Sequence, residues 1–144
     1  MTYRPDSKDR KIMYVLARLG VEISEPTLQK LIYRIQQAGA KFEFKFLISE
    51  SSGSVFSYEL SERLNRLAEH GYIKRFYVMG RSYEELYIPV YEIAEKGISL
   101  LNRLGIAQRD KRVIDGIVDK FRSLIEKRLG RKIESKIGEL KVSK

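Results

Sequence analysis

The 144-residue chain contains no cysteine and no tryptophan, and has one histidine and three prolines. Without cysteine there are no disulfides, zinc ribbons, thiol catalysis or redox sensing, and a cytoplasmic protein is the expectation. His70 alone leaves almost no imidazole chemistry for a metal, so neither metal nor cofactor is expected. No apolar run approaches the roughly 18–20 residues that cross a bilayer, and residues 1–10 lack the apolar stretch of a secretory signal, so no membrane is expected among its partners. Apart from Glu84-Glu85 the carboxylates are scattered singly, no glycine-rich phosphate loop follows a strand, and no nucleophile motif occurs. An enzyme is not expected.

What is present suits one compact domain with an extension: 43% hydrophobic and 33% charged residues, too apolar for native disorder. The net charge of +9 suggests a polyanionic partner, but it is unevenly placed. Lys and Arg outnumber Asp and Glu by nine to six in residues 1–50, balance at seven each in 51–107, and lead by twelve to six in 108–144. The richness in Ile, Lys, Arg and Glu is of the kind found in heat-adapted proteins.

Helical spacing of Ile12, Val15, Leu16 and Leu19, with Asp6 or Ser7 to cap and Gly20 to stop, predicts a first helix over 7–19. Ser24-Glu25-Pro26-Thr27 opens a second, with apolar face Leu28, Leu31, Ile32 and Ile35, ending at Gly39. Alternation of Phe42, Phe44 and Phe46 with Lys41, Glu43 and Lys45 predicts a half-buried strand, followed by a serine-rich turn over 49–54. Leu60, Leu64, Leu67 and Ala68 define a third helix over about 57–70. Aromatic and β-branched runs over 72–79 and 86–93 flank a polar tip and predict a hairpin, with Pro89 placing the second strand at an edge or bulge. A fourth helix follows over about 94–104. From Asp110 a broad stripe of Ile114, Ile117, Val118, Phe121, Leu124, Ile125 and Leu129 predicts an amphipathic helix of at least five turns, and fraying is expected beyond Gly130.

Three stretches carry a resemblance: residues 57–73, SYELSERLNRLAEHGYI; residues 91–101, YEIAEKGISLL; and residues 23–33, ISEPTLQKLIY. The first resembles a recognition helix running into its wing, and the second a last wing strand passing into a closing helix. Together they resemble the winged helix-turn-helix domains of archaeal and bacterial transcriptional regulators. The third stretch adds similarity to uncharacterised phage-, plasmid- and antitoxin-associated winged-helix proteins. The likeness covers about residues 7–105. The implied fold is α+β, mainly helical: a winged helix-turn-helix domain over 7–105 and a basic amphipathic C-terminal helix and tail over 106–144. One departure is plain, since residues 39–56 insert a strand and a loop where compact members have a short turn.

The resemblance implies a double-stranded DNA partner, contacted by helix three and the wing. At 100° per residue the outward face of helix three carries Tyr58, Glu59, Glu62, Asn65, Arg66 and Glu69, with Arg63 at the flank. Tyr58, Arg63, Asn65 and Arg66 are the candidate contacts there, and Lys74, Arg75 and Arg81 those on the wing. Against this stands a solvated helix laced by Glu59–Arg63 and Glu62–Arg66 pairs, and a strand that uses cations to block edge pairing. His70 suits the C-terminal end of helix three as a partner of the helix dipole. In the C-terminal helix, Ile114, Ile117, Val118, Phe121, Leu124 and Ile125 are candidates for a homodimer seam. The reading is a dimeric DNA-binding transcriptional regulator. Its rival is a protein-interaction module, antitoxin-like or an assembly adaptor, on the same fold.

Overall fold

A computed structural model describes residues 3–78, 88–129 and 142–143, and its elements run α1 (Ser7–Leu19), β1 (Ile23–Ser24), α2 (Glu25–Gln37), β2 (Leu47–Ile48), β3 (Val55–Phe56), α3 (Tyr58–Glu69), β4 (Ile73–Val78), β5 (Ile88–Ile93), α4 (Glu95–Leu104), β6 (Ile106–Ala107), α5 (Gln108–Leu129) and β7 (Val142–Ser143). The class is α+β, and the helices lie within a residue or two of the spans their apolar spacing predicts. No helix among the described residues is long and apolar enough to cross a membrane.

Helix α1 is the centre of the core. Asp6 and Asp9 form a capping box at its start, and Gly20 closes it in the left-handed region at φ 77°. The apolar stripe predicted only one buried face, yet every residue from Lys11 to Ala17 is buried. The reason is enclosure, since α4, α5, β5 and β6 all pack on it. Lys11 and Asp110 are buried together at 3.1 Å, and Tyr14 donates its hydroxyl proton to Asp115 on α5.

Helix α5 therefore packs on its own chain. Ile114 and Val118 are fully buried in the core, and Ile117, Phe121 and Ile125 pack partly buried against it. Arg18 reinforces the docking through Asp115 and Asp119 at 3.5 and 3.1 Å. For the expected dimer seam this is a correction: Ile114 and Val118 have no surface to offer a second chain. Leu124 alone of the six is strongly exposed, at 60%.

The strand expected over Phe42–Phe46 does not form; regular pairing begins only at β2, which joins β3 antiparallel. Phe42 and Phe44 are nonetheless buried, and Lys41, Glu43 and Lys45 exposed, so the alternation reported burial rather than a ladder. Side chains serve the backbone here instead of a neighbouring strand. Gln36 brackets Phe44 by accepting from its N–H at 2.8 Å and donating to its carbonyl at 3.0 Å. Asp110 accepts from the Lys41 N–H, and Lys11 donates to the Lys41 carbonyl. Glu43 takes the left-handed conformation at φ 59°, which bends the segment away from strand geometry.

A three-stranded antiparallel sheet has the order β1-β5-β4, with Ile23 opposite Tyr91 and Ile73 opposite Ile93. Strand β5 is thus central, not an edge. Pro89 is tolerated because β1 pairs only with Val90 and Tyr91, so the proline faces no partner on that side. Val142 and Ser143 pair parallel with Ile106 and Ala107, where fraying was expected.

Candidate interaction face around helix α3

Helix α3 starts at Ser57, whose side chain accepts from the Leu60 N–H. Gln29 of α2, buried at the same place, accepts from the Ser57 N–H at 2.9 Å and donates to the Ser57 carbonyl at 3.2 Å. This clamp sets α2 against the start of α3 despite the long intervening segment. Leu60, Leu64 and Leu67 hold the inner face of α3 in the core, which leaves Tyr58, Glu62, Asn65, Arg66 and Glu69 exposed as the spacing predicts.

Arg63 is not on that outer face. Its guanidinium reaches Asp6 at 2.8 Å, Asp9 at 2.9 Å and Glu59 at 2.9 Å, clasping α3 to the capping box of α1. Burial opposes its charge, but the hydrogen bonds to Asp6, Asp9 and Glu59 prevail and raise its pKa. The predicted Glu59–Arg63 pair is therefore present and part of a larger cluster, and Arg63, expected at the flank of the outer face, is turned to these three carboxylates. No Glu62–Arg66 pair forms among the described residues.

The clasp has a consequence for pH. Burial favours protonation of Asp6, yet the hydrogen bonds from Arg63 and the Asp9 N–H outweigh it and hold the carboxyl below its ordinary value of 3.8. A depressed carboxyl adds stability that is full above the unfolded value and is lost as pH falls through the folded one. Urea midpoints measured from about pH 5 down to about pH 2 are expected to fall less steeply in Arg63→Met than in the parent. Parallel curves would show that the clasp contributes nothing.

Along β4, successive side chains alternate between faces, so Lys74 and Arg75 point opposite ways instead of gripping together. Arg75 turns toward α3 and donates to the Asn65 side-chain oxygen, while the Asn65 amide donates to Glu69 at 3.2 Å. Lys74 is exposed on the other face. Arg81, the expected wing-tip contact, lies outside the described residues. His70 is the C-terminal cap residue of α3, the position expected of it, and its ring stacks on Tyr3 with centroids 4.4 Å apart.

Between the outer face of α3 and the β4–β5 pair lies a groove of about 580 Å³, lined by Tyr58, Ser61, Glu62 and Asn65 on one side and Arg75, Tyr77, Pro89 and Tyr91 on the other, with Glu25 at its end. Tyr91 donates to Glu25 at 3.2 Å; burial, reinforced by the Glu25 charge, pushes its hydroxyl up to about 12 against the pull of Arg75. It is a hydrogen-bond donor at any neutral pH. Arg75 sits 5.8 Å from the Tyr77 ring. Tyr58 and Tyr77 are 71% and 59% exposed. On the far side of Tyr58 a smaller groove of about 250 Å³ is lined by Lys45, Leu47 and Glu59, and the Phe56 ring meets Tyr58 edge-on at 4.9 Å.

Sequence reasoning identified Tyr58, Asn65 and Arg75, which do come together. It missed Glu25, Tyr77 and Tyr91. The β-register of Tyr77, Arg75, Pro89 and Tyr91 was open to reading, but Glu25 reaches the site only because β1 pairs with β5. Among the described residues no group of three or more His, Cys, Asp or Glu is placed to hold a metal. No family model, curated protein or solved structure matches the chain.

Proposed function

We propose that the chain is a winged-helix protein-interaction module that docks a partner protein in the groove between α3 and the β4–β5 pair. Support for the winged-helix reading comes from three helices followed by an antiparallel strand pair that lies beside the exposed face of the third. The observation that carries the docking reading is the content of the groove: exposed Tyr58 and Tyr77 beside the Glu25 and Glu62 carboxylates, with Arg75 and Asn65 bonded to each other. Tyrosine-rich, mixed-charge concave surfaces suit protein partners, whose binding concentrates in a few aromatic and arginine anchors. A duplex brings about one phosphate charge per 1.7 Å of axis, and the Glu25 and Glu62 carboxylates, neither in a salt bridge among the described residues, repel it.

A second reading, DNA binding by a dimeric transcriptional regulator, has its own support in exposed Arg66 and Lys74 and in the net charge of +9. The readings separate on a labelled random-sequence duplex. DNA binding predicts affinity that falls steeply with salt, and a log-log slope reduced by about one in each of Arg66→Ala and Lys74→Ala. The docking reading predicts no binding at physiological salt. It also predicts a partner that co-purifies with the folded chain and is held about tenfold or more weakly by Tyr58→Ala and Tyr77→Ala, a loss of about 1.4 kcal/mol or more. Retention by both tyrosine variants, with loss in Lys74→Ala, would overturn it.

A further inference from the structure

A second concave surface lies between α2 and α5, away from the α3 groove. Two adjoining pockets of about 260 and 290 Å³ share Leu31, Arg34, Phe121 and Leu124. Lys30 and Lys120 complete the rim, so the lining holds three cations and no carboxylate. Among the described residues none of these cations forms a salt bridge, whereas Asp115 and Asp119 on the neighbouring face of α5 are engaged by Arg18. We infer that this groove receives an acidic amphipathic helix of a partner protein.

The shape and the charge both point to that occupant. Thr27 to Arg34 on α2 and Ile117 to Leu124 on α5 are each eight residues, about 10 Å of helix from first to last, so two turns of an incoming helix can lie between them. Its apolar side chains would enter over Leu31, Phe121 and Leu124 at the i, i+3, i+4, i+7 spacing of helix-in-groove recognition. Its acidic flanks would meet Lys30, Arg34 and Lys120. A second copy is disfavoured, because a two-fold pairing through this face sets the same three cations against themselves. A duplex offers phosphates to the cations but no apolar side chains to Leu31, Phe121 and Leu124, the last of which is 60% exposed.

The test uses the full chain and a labelled helical peptide with Leu and Phe at the i, i+3, i+4, i+7 positions and Glu on the remaining face, alongside its twin with Lys in place of Glu. Anisotropy is expected to show the Glu peptide bound about tenfold or more tightly than the Lys peptide, and weakened about tenfold by Leu124→Asp. Arg34→Glu combined with Lys120→Glu is expected to reverse the preference, a gain that misfolding cannot mimic. Circular dichroism checks that each variant is folded. Equal binding of the two peptides, no binding of the Glu peptide, or binding indifferent to Leu124→Asp overturns the inference. So does a sedimenting dimer that Leu124→Asp dissolves, which makes a second copy the occupant. Direct binding of labelled duplex DNA or of anionic vesicles to the parent chain more tightly than the Glu peptide, lost in the charge-reversed chain and competed by the Glu peptide, overturns it in favour of those surfaces.

Discussion

Asp110→Ala is expected to destabilise the chain by about 3–5 kcal/mol, the cost of stranding a buried charge. Asp110 and Lys11 are each about 5% exposed and lie 3.1 Å apart. They are joined to the main chain of Lys41, whose N–H donates to Asp110 at 2.9 Å and whose carbonyl accepts from Lys11 at 2.6 Å. Removing the carboxylate leaves an ammonium with one carbonyl and a peptide N–H with no acceptor. Replacing both partners, Lys11→Met with Asp110→Leu, removes the stranded charge and should recover part of the loss. It should not reach neutrality, because the Lys41 N–H and carbonyl are then unsatisfied at about 1–3 kcal/mol for each buried group. Urea denaturation of the parent, both single variants and the double variant measures the coupling. A cost under about 1 kcal/mol for Asp110→Ala would mean that water reaches the pair and that its role in holding α1, α5 and the 40–46 segment together is wrong.

Phe42→Ala is expected to cost a similar amount, about 3–5 kcal/mol, since the side chain is fully buried and its loss leaves a cavity among core residues. The comparison that gives this meaning is Phe46→Ala, two residues on and only partly buried, which should cost clearly less. In a regular half-buried strand the two phenylalanines would be equivalent by alternation. Here the segment is bent at Glu43 and held by Gln36, so depth in the core falls off along it. Equal losses in the two variants, read from denaturation midpoints, would restore the strand picture for this segment.

Several features were legible because they are local. Asp6, Ser57 and Gly20 mark helix ends through groups within a few residues of themselves, and each does so in the structure. The leucine stripe of α3 correctly separates Leu60, Leu64 and Leu67 from the exposed Tyr58, Glu62, Asn65 and Arg66. Where the reading failed, the deciding partner lay on another element, eight residues away for Gln36 and 30 and 69 away for Lys11 and Asp110. The period of two at Phe42–Phe46 described which side chains are buried, and a strand was inferred from it. Yet the hydrogen bonds that would make a strand went to Gln36, Asp110 and Lys11 instead.

The same division explains the candidate site. Composition and periodicity alone determined an α+β chain with five helices, a strand pair after the third, a basic C-terminal helix, and an outward α3 face of mixed charge. These follow from side-chain spacing and capping, which act over one or two turns. Only the tertiary structure decided how each face is used. The capping box of α1 takes Arg63 away from the surface across more than fifty residues, β1 brings Glu25 to Tyr91, and α1 buries Ile114 and Val118 of α5. Each of these contacts depends on how an enclosed helix and a three-stranded sheet arrange distant segments, and a one-dimensional pattern carries no record of which apolar stripe will meet which other.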